Sequence, residues 1–226
     1  MNDLETELCK KYKGLNTISD LIEKVIDLDD IVIYLKLTSL LYADDTIILA
    51  ESKDDLQTAL DTLSDFCNDW DLSVNSSKTK IMIFSRGKLR NLPTFTFNNN
   101  TVDVVFEYKY LGIIFNYNGN FNKAKKNLCD QATKAMYALI TKARKLNLPV
   151  DIQLHLFDTL VVPILLYGCE IWGHENYAIL EKLHLKFCKY ILHINKYTPN
   201  CMVYGELGRF PISVYINNRL IQFWSR

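Results

Sequence analysis

Apolar positions fall in short, β-branched runs over the first half of the chain and recur at helical spacing over the second. Met1 to Lys11 reads as the end of a helix, and Lys13 to Asp30 as polar loop. Ile31 to Leu37 predicts a strand. Ser39 to Tyr42 and Thr46 to Ala50 are apolar runs on either side of Ala43-Asp44-Asp45. That pattern predicts a β-hairpin whose tip carries two adjacent carboxylates. A helix follows, because Leu56, Leu60, Leu63, Phe66, Cys67 and Trp70 share one face. Ser52 is its expected N-cap, with Asp54 and Asp55 in the first turn.

Leu72 to Val74 and Thr79 to Phe84 read as strands joined by Asn75-Ser76-Ser77. Phe95 to Phe97 and Val102 to Phe106 flank Asn98-Asn99-Asn100, a hairpin signal. Tyr110 to Phe115 reads as one further strand, broken by Gly112. After Gly119 the pattern is helical: Lys123 to Lys145, Ile152 to Leu166, Tyr177 to Ile194 and Pro211 to Trp224. The expected class is α+β, with a sheet-bearing unit at 1–118 and an all-helical unit at 119–226.

Composition adds a folded, core-forming chain: 49% of its 226 residues are hydrophobic, with no low-complexity tract. The zero net charge conceals a split. Residues 1–72 sum to −11 and residues 73–226 to +11. This balance fits an acidic cation site joined to a basic, anion-holding body, and equally fits ordinary solvated faces. The six cysteines form no C-x-x-C pair, so neither a disulfide framework nor a zinc ribbon is indicated. Cys169, His174, His184 and Cys188 could in principle hold zinc. Cys188 lies in an apolar set with Leu180, Leu183, Phe187 and Ile191, so buried thiols and a half-buried His184 are the simpler reading. The thiols read as reduced and intracellular. Asn2-Asp3 and Glu5 are wrong for a signal peptide, and the apolar run Leu154 to Trp172 is interrupted by Asp158 and Pro163. No membrane partner and no structural zinc are expected.

The hairpin tip carries the candidate chemistry. Adjacent carboxylates among Leu40, Leu41, Ile47, Ile48 and Leu49 cost stability unless a cation sits with them. Hard divalent cations take such oxygens, and Mg²⁺ is held by one or two of them plus substrate phosphates. The plain alternative is a turn, which Asp also favours.

The ordered motifs change that balance. Leu41-Tyr42-Ala43-Asp44-Asp45 resembles the Y-x-D-D hairpin of reverse transcriptases, and Met1-Asn2-Asp3-Leu4 resembles the segment preceding it. Leu56 to Trp70 resembles the palm helix that follows. Leu72 to Lys80 is similar to the next family motif, and Glu107 to Gly112 to the Tyr-Leu-Gly primer grip. Leu165 to Gly173 and Val203 to Pro211 resemble segments found after the polymerase core in the non-LTR (LINE-type) branch. Several motifs in family order are far more specific than Y-A-D-D alone.

The resemblance implies a partial polymerase palm, an antiparallel sheet with catalytic hairpin and packed helix, followed by a helical thumb-like region. It implies RNA-directed DNA polymerase chemistry with two metal ions, Mg²⁺ or Mn²⁺, on RNA template, DNA primer and deoxynucleoside triphosphate. Asp44 would be a catalytic metal ligand, and Asp45 a second ligand or supporting charge. Lys78 would act near the departing pyrophosphate, or else is an exposed loop lysine. Tyr42 would face nucleic acid or nucleotide, or else sits in the core. Lys109, Tyr110, Leu111 and Gly112 would position the primer end, or else Gly112 is a strand glycine packing on a neighbour. Lys123, Lys125, Lys126, Lys134, Lys142, Arg144 and Lys145 populate a helix that would track phosphates, or else a solvated face. Trp172, Tyr204 and Trp224 are assigned to packing.

The family reaction also uses another Asp on an earlier palm strand and a fingers domain. Asp3, Asp20, Asp27, Asp29 and Asp30 lie in no segment resembling that strand. The expectation is a chain that binds metal weakly and does not polymerise alone: a decayed copy, an incomplete gene model, or a fragment needing a partner. The alternatives are a non-catalytic nucleic-acid-binding remnant and a helical interaction module. A metal nuclease ranks last, since no His or Glu partner stands in motif spacing. Location is expected to be intracellular, nucleus or cytoplasm.

Overall fold

The computed structural model describes residues 2–11, 15–16, 36–37, 39–87, 89, 91–174 and 177–225. It divides into two compact units, Met1–Phe106 and Glu107–Arg226.

In the first unit, helix α1 spans Asn2–Lys11. Strand β1 (Leu15–Asn16) pairs antiparallel with β2 (Lys36–Leu37). The rest of the loop expected at 13–30, and residues 31–35 of the strand expected at 31–37, lie outside the described residues. Strands β3 (Ser39–Tyr42) and β4 (Asp45–Ile48) form the expected hairpin, with Tyr42 opposite Asp45. Helix α2 spans Lys53–Asp69. Its N-cap works as the sequence implies: the Ser52 hydroxyl accepts from the Asp55 N–H at 3.1 Å.

Helix α2 is amphipathic on two sides. Ala59 meets Leu4 and Leu8 of α1, with Ile48, Leu63 and Phe66 around them. Leu60 meets Ile81, Phe95 and Phe97. The latter two lie on β5 (Phe95–Phe97), which pairs with β6 (Asn100–Val102). Asn98 and Asn99 both have positive φ, 49° and 61°, the backbone of a two-residue hairpin turn that asparagine tolerates.

Two expectations fail in this unit. Residues 72–74 and 79–84 form no ladder. Their contribution is one parallel bridge, with Ile81 donating to the Asp103 carbonyl at 3.0 Å and accepting from Val105 N–H at 2.8 Å. Without a partner strand, Leu72 and Phe84 stay exposed. Among the described residues every sheet is a two-stranded hairpin or pair, and the mix of helices and antiparallel strands is the expected α+β class.

The second unit opens with β7 (Glu107–Tyr110) and β8 (Ile113–Asn116), paired antiparallel. The single strand expected at 110–115 is thus a hairpin, because Leu111 (φ 45°) and Gly112 (φ 86°) reverse the chain. Among the described residues seven helices follow: α3 (Asn122–Lys145), α4 (Val150–Leu160), α5 (Val162–Leu165), α6 (Cys169–Trp172), α7 (Ala178–Ile191), α8 (Asn200–Leu207) and α9 (Ile212–Trp224). The helix expected over 152–166 breaks at Val161, because Pro163 has no N–H to continue the ladder. Helix α8 had no periodic signal of its own.

One continuous core holds this unit. Ala132, Met136, Phe157, Val161, Leu165, Trp172, Leu180, Phe187, Ile212 and Ile216 are all essentially inaccessible. The Phe157 and Phe187 rings stack with centroids 4.0 Å apart. Each fully buried large side chain of this kind contributes about 1.5–3 kcal/mol. Ile113 of β8 belongs to the same core. That is why the compact division falls after Phe106, whereas the pattern of strands and helices put it at 118/119.

Three side chains depart from expectation. Lys125 is buried, not on the outer basic face. His184 is fully buried, not half-buried. Trp224 is 76% exposed, edge-on to Phe223, and packs into no core. No described helix is long and apolar enough to cross a membrane.

Candidate functional site

Hairpin β3–β4 turns through Ala43 and Asp44. Ala43 has φ 53°, a left-handed backbone that costs a non-glycine residue about 1–2 kcal/mol. Tyr42, Ala43, Asp44 and Asp45 are all exposed, Tyr42 by 62%. The cross-strand pair Tyr42–Asp45 and the adjacent turn residue Asp44 therefore stand together at one tip. This corrects the expectation of a carboxylate pair destabilised by apolar neighbours. Water solvates both groups, so only their mutual repulsion is left. It also places Tyr42 outside any core.

Two neighbouring, solvated carboxylates are the donor set that Mg²⁺ or Mn²⁺ accepts when substrate phosphates complete its shell. Among the described residues, no three His, Cys, Asp or Glu side chains gather as a protein-built metal cage. Cys169 and Cys188 lie in separate apolar clusters, and burial pushes each thiol up to about 11.

Lys78 is exposed on a turn that Asn75 organises. The Lys78 N–H donates to both the Asn75 carbonyl (3.1 Å) and its side-chain oxygen (3.2 Å). Thr79 N–H and hydroxyl also donate to the Asn75 carbonyl. The residues Asn75, Lys78 and Thr79 thus belong to one locally fixed loop.

Lys109, Tyr110, Leu111 and Gly112 belong to the second unit. Lys109 is exposed on β7. Leu111 and Gly112 form the turn, and Tyr167 clasps it. The Tyr167 hydroxyl donates to the Leu111 carbonyl at 2.7 Å. A Cβ on Gly112 would stand 3.1 Å from the Tyr167 ring, besides requiring a positive φ. Gly112 is a turn glycine under an aromatic ring, not a strand glycine. Gly168, also left-handed (φ 66°), leaves room for Ile113, whose side chain occupies the place of a Cβ there. The Trp172 indole N–H donates to the Tyr167 carbonyl at 3.1 Å and so braces the clasp. Two sequence segments singled out separately, 107–112 and 165–173, are therefore one structural device. Tyr167 was missed as a positioning residue because nothing local to it signals a contact 56 residues away.

The segment 203–211 has a similar explanation. Gly208 ends α8 with φ 60°, and Arg209 turns inward. Its guanidinium forms a two-pronged ion pair with Asp158 and donates from Nε to His184 Nε2 at 3.3 Å. Accepting that bond requires a neutral imidazole with its proton on Nδ1. Burial, then the neighbouring Arg209 charge, holds His184 down to about 4. Glu181 accepts from the Ile212 N–H at 2.8 Å, and burial pushes its carboxyl up.

Comparison with known proteins places these features in sequence context. Residues 9–115 match the family model described as reverse transcriptase (RNA-dependent DNA polymerase). The RNA-directed DNA polymerase from mobile element jockey of Drosophila funebris is 26% identical over 168 residues, covering 68% of this chain and 18% of the relative. Its Drosophila melanogaster counterpart is 26% identical over 164 residues, with the same coverage. A Drosophila melanogaster protein named "Probable RNA-directed DNA polymerase from transposon X-element" is 26% identical over 209 residues, covering 87% of this chain and 23% of the relative. The chain thus spans about a fifth of the length of these relatives. No solved structure gives a significant match.

Proposed function

We propose that this chain is a segment of a non-LTR retrotransposon reverse transcriptase, partial palm followed by thumb-like helices. The observation carrying this reading is the exposed Tyr42-Ala43-Asp44-Asp45 tip lying within the reverse transcriptase match.

Asp44 and Asp45 would hold Mg²⁺ or Mn²⁺, which supplies charge neutralisation for the attacking and leaving oxygens of nucleotidyl transfer. Two solvated carboxylates bind such an ion weakly until phosphates join them. Tyr42, opposite Asp45, presents its ring beside the carboxylates, where a nucleotide or template base would lie. Lys78, on the loop fixed by Asn75, offers a cation for the departing pyrophosphate. Lys109 to Gly112 would hold the end of a DNA primer on an RNA template, with Tyr167 positioning the Leu111–Gly112 turn. Catalysis of this kind rests on positioning and charge, so loss of either hairpin carboxylate would be costly. The working place would be intracellular, in nucleus or cytoplasm.

Primer extension on an RNA template with Mg²⁺ tests the reading. The chain alone should give no product. Joined to the fingers and early palm of a related enzyme it should extend the primer, and Asp44→Asn should abolish that extension. An inactive but folded fusion would sink the catalytic reading.

A further inference from the structure

On helices α2, α3 and α4 the hydroxyls of Thr58, Thr62, Thr133, Thr141 and Thr159 each donate to the carbonyl four residues back. Thr198 differs. It lies on the loop between α7 and α8, and its hydroxyl makes no hydrogen bond to a described residue. Its backbone is held instead. The Thr198 N–H donates to the Asn195 carbonyl at 3.1 Å, and the Thr198 carbonyl accepts from Lys189 Nζ at 2.9 Å. Lys189 also donates to the Lys196 carbonyl at 2.8 Å, so one ammonium of α7 folds the loop back on the helix. The neighbours of Thr198 project outward: Tyr197 is 80% exposed, and Pro199 is exposed.

Thr198-Pro199 is the only Ser-Pro or Thr-Pro step in the 226 residues. Proline disfavours helical backbone at the residue before it, and Pro199 itself has φ −55° and ψ 135°, the extended polyproline region. The step therefore presents an uncommitted acceptor hydroxyl just ahead of the first turn of α8. Proline also lacks an N–H, so an enzyme that reads it needs an apolar pocket at that position with no acceptor to satisfy. That is the recognition chemistry of proline-directed Ser/Thr kinases.

The surroundings suit the product. Arg144, Lys182, Lys186, Lys189 and Lys196 line one groove of about 670 Å³ whose lining includes no Asp or Glu. Neutral groups orient these cations without cancelling their charge: Lys186 Nζ donates to the Tyr137 hydroxyl at 2.6 Å, and Arg144 Nε to the Tyr190 hydroxyl at 3.1 Å. Elsewhere in the unit Lys123, Arg209 and Arg219 pair with carboxylates, but among the described residues none of these five does. Lys189 already bonds the Thr198 carbonyl, so a phosphate on the same residue lies within its reach.

We propose that Thr198 is a phosphorylation site for a proline-directed Ser/Thr kinase, and that its phosphate docks on the cations of this groove within the same chain. Thr198 Oγ1 attacks the γ-phosphorus of ATP held by the kinase. The bond from that phosphorus to the β–γ bridging oxygen breaks, ADP leaves, and the hydroxyl proton passes to the kinase's catalytic base. Phosphothreonine carries about −1.5 to −2 charges at pH 7 and three acceptor oxygens, so it forms charge-assisted bonds that the unmodified loop lacks. The modification neutralises the groove and ties the loop to α7. It uses neither the carboxylate hairpin nor a metal there, so it stands or falls apart from the polymerase reading.

The test treats the folded full chain with ATP, Mg²⁺ and a purified kinase of the mitogen-activated class, followed by intact mass and a phosphopeptide map. One phosphate on Thr198 is expected, and none on Thr198→Ala, with both chains shown to be folded by thermal melting. The phosphate is then titrated by ³¹P NMR. Held by the groove, its second proton should leave about one pH unit below the ordinary value near 6, a tenfold shift. Lys186→Gln/Lys196→Gln, both at exposed positions, should keep the fold and the modification and lose most of that shift. No phosphate at Thr198, modification only of the unfolded chain, or a phosphate that titrates as free phosphothreonine does would each overturn the site.

Discussion

Two hairpins of equal strand length, β3–β4 and β7–β8, meet their surroundings very differently. Both turn through two residues and both place a left-handed residue in the turn. The second is clasped: Tyr167 bonds its turn, and Ile113 is 5% exposed in the core. The first is bare: Leu40 is 43% exposed, and among the described residues no side chain hydrogen-bonds its tip. The clasped hairpin has spent its conformational freedom on packing. The bare one keeps its strained backbone and its carboxylates where only a ligand or another chain segment can cover them. Strain held at an uncovered tip is what ligand clamps use.

The largest effect that separates the two should come from trimming their apolar side chains. Ile113→Ala should cost about 2–4 kcal/mol in urea melts, while Leu40→Ala should cost under about 1 kcal/mol. Equal costs would mean the first hairpin is packed as well as the second. Acid should also act on the clasped unit. His184 titrates near 4 when folded against 6.5 ordinarily, so below 6.5 the unfolded chain takes up a proton that the fold refuses. Stability should fall between pH 6.5 and 4 by roughly 3 kcal/mol at most. Glu181 has the opposite sign: its raised carboxyl favours the fold as pH falls, and offsets part of that loss. Thermal melts of the parent and His184→Gln against pH measure the difference, and a parent with a flat profile would refute it.

How much of this was readable beforehand follows from range. The β3–β4 hairpin, the Ser52 cap and the long helices were legible, because turn chemistry, capping and periodicity act within a few residues. The Leu111–Gly112 turn was read as a break in a strand, since a lone glycine in an apolar run marks either. The ladder expected at 79–84 failed for want of a partner, which no local pattern can supply. Tyr167 and the Asp158–Arg209–His184 set were invisible because their partners lie 25 to 56 residues away.

Smaller effects sharpen the contrast at the turns themselves. Gly112→Ala should cost about 1–3 kcal/mol through its positive φ and the Tyr167 ring. Ala43→Gly should instead stabilise by up to about 1 kcal/mol, since glycine relieves the same backbone strain. Denaturant midpoints that shift in the same direction for both would contradict the assignment. Tyr167→Phe removes one hydrogen bond and should cost about 1 kcal/mol.

Trp172 gives the clasp an optical voice. Its indole is wholly buried and bonded to the same Tyr167 that holds the hairpin, whereas Trp70 and Trp224 face solvent. Collisional quenchers should silence those two first and leave a blue-shifted residual emission from Trp172. Any event that loosens the Leu111–Gly112 turn then becomes visible as a red shift in that residual band, with no label attached to the protein.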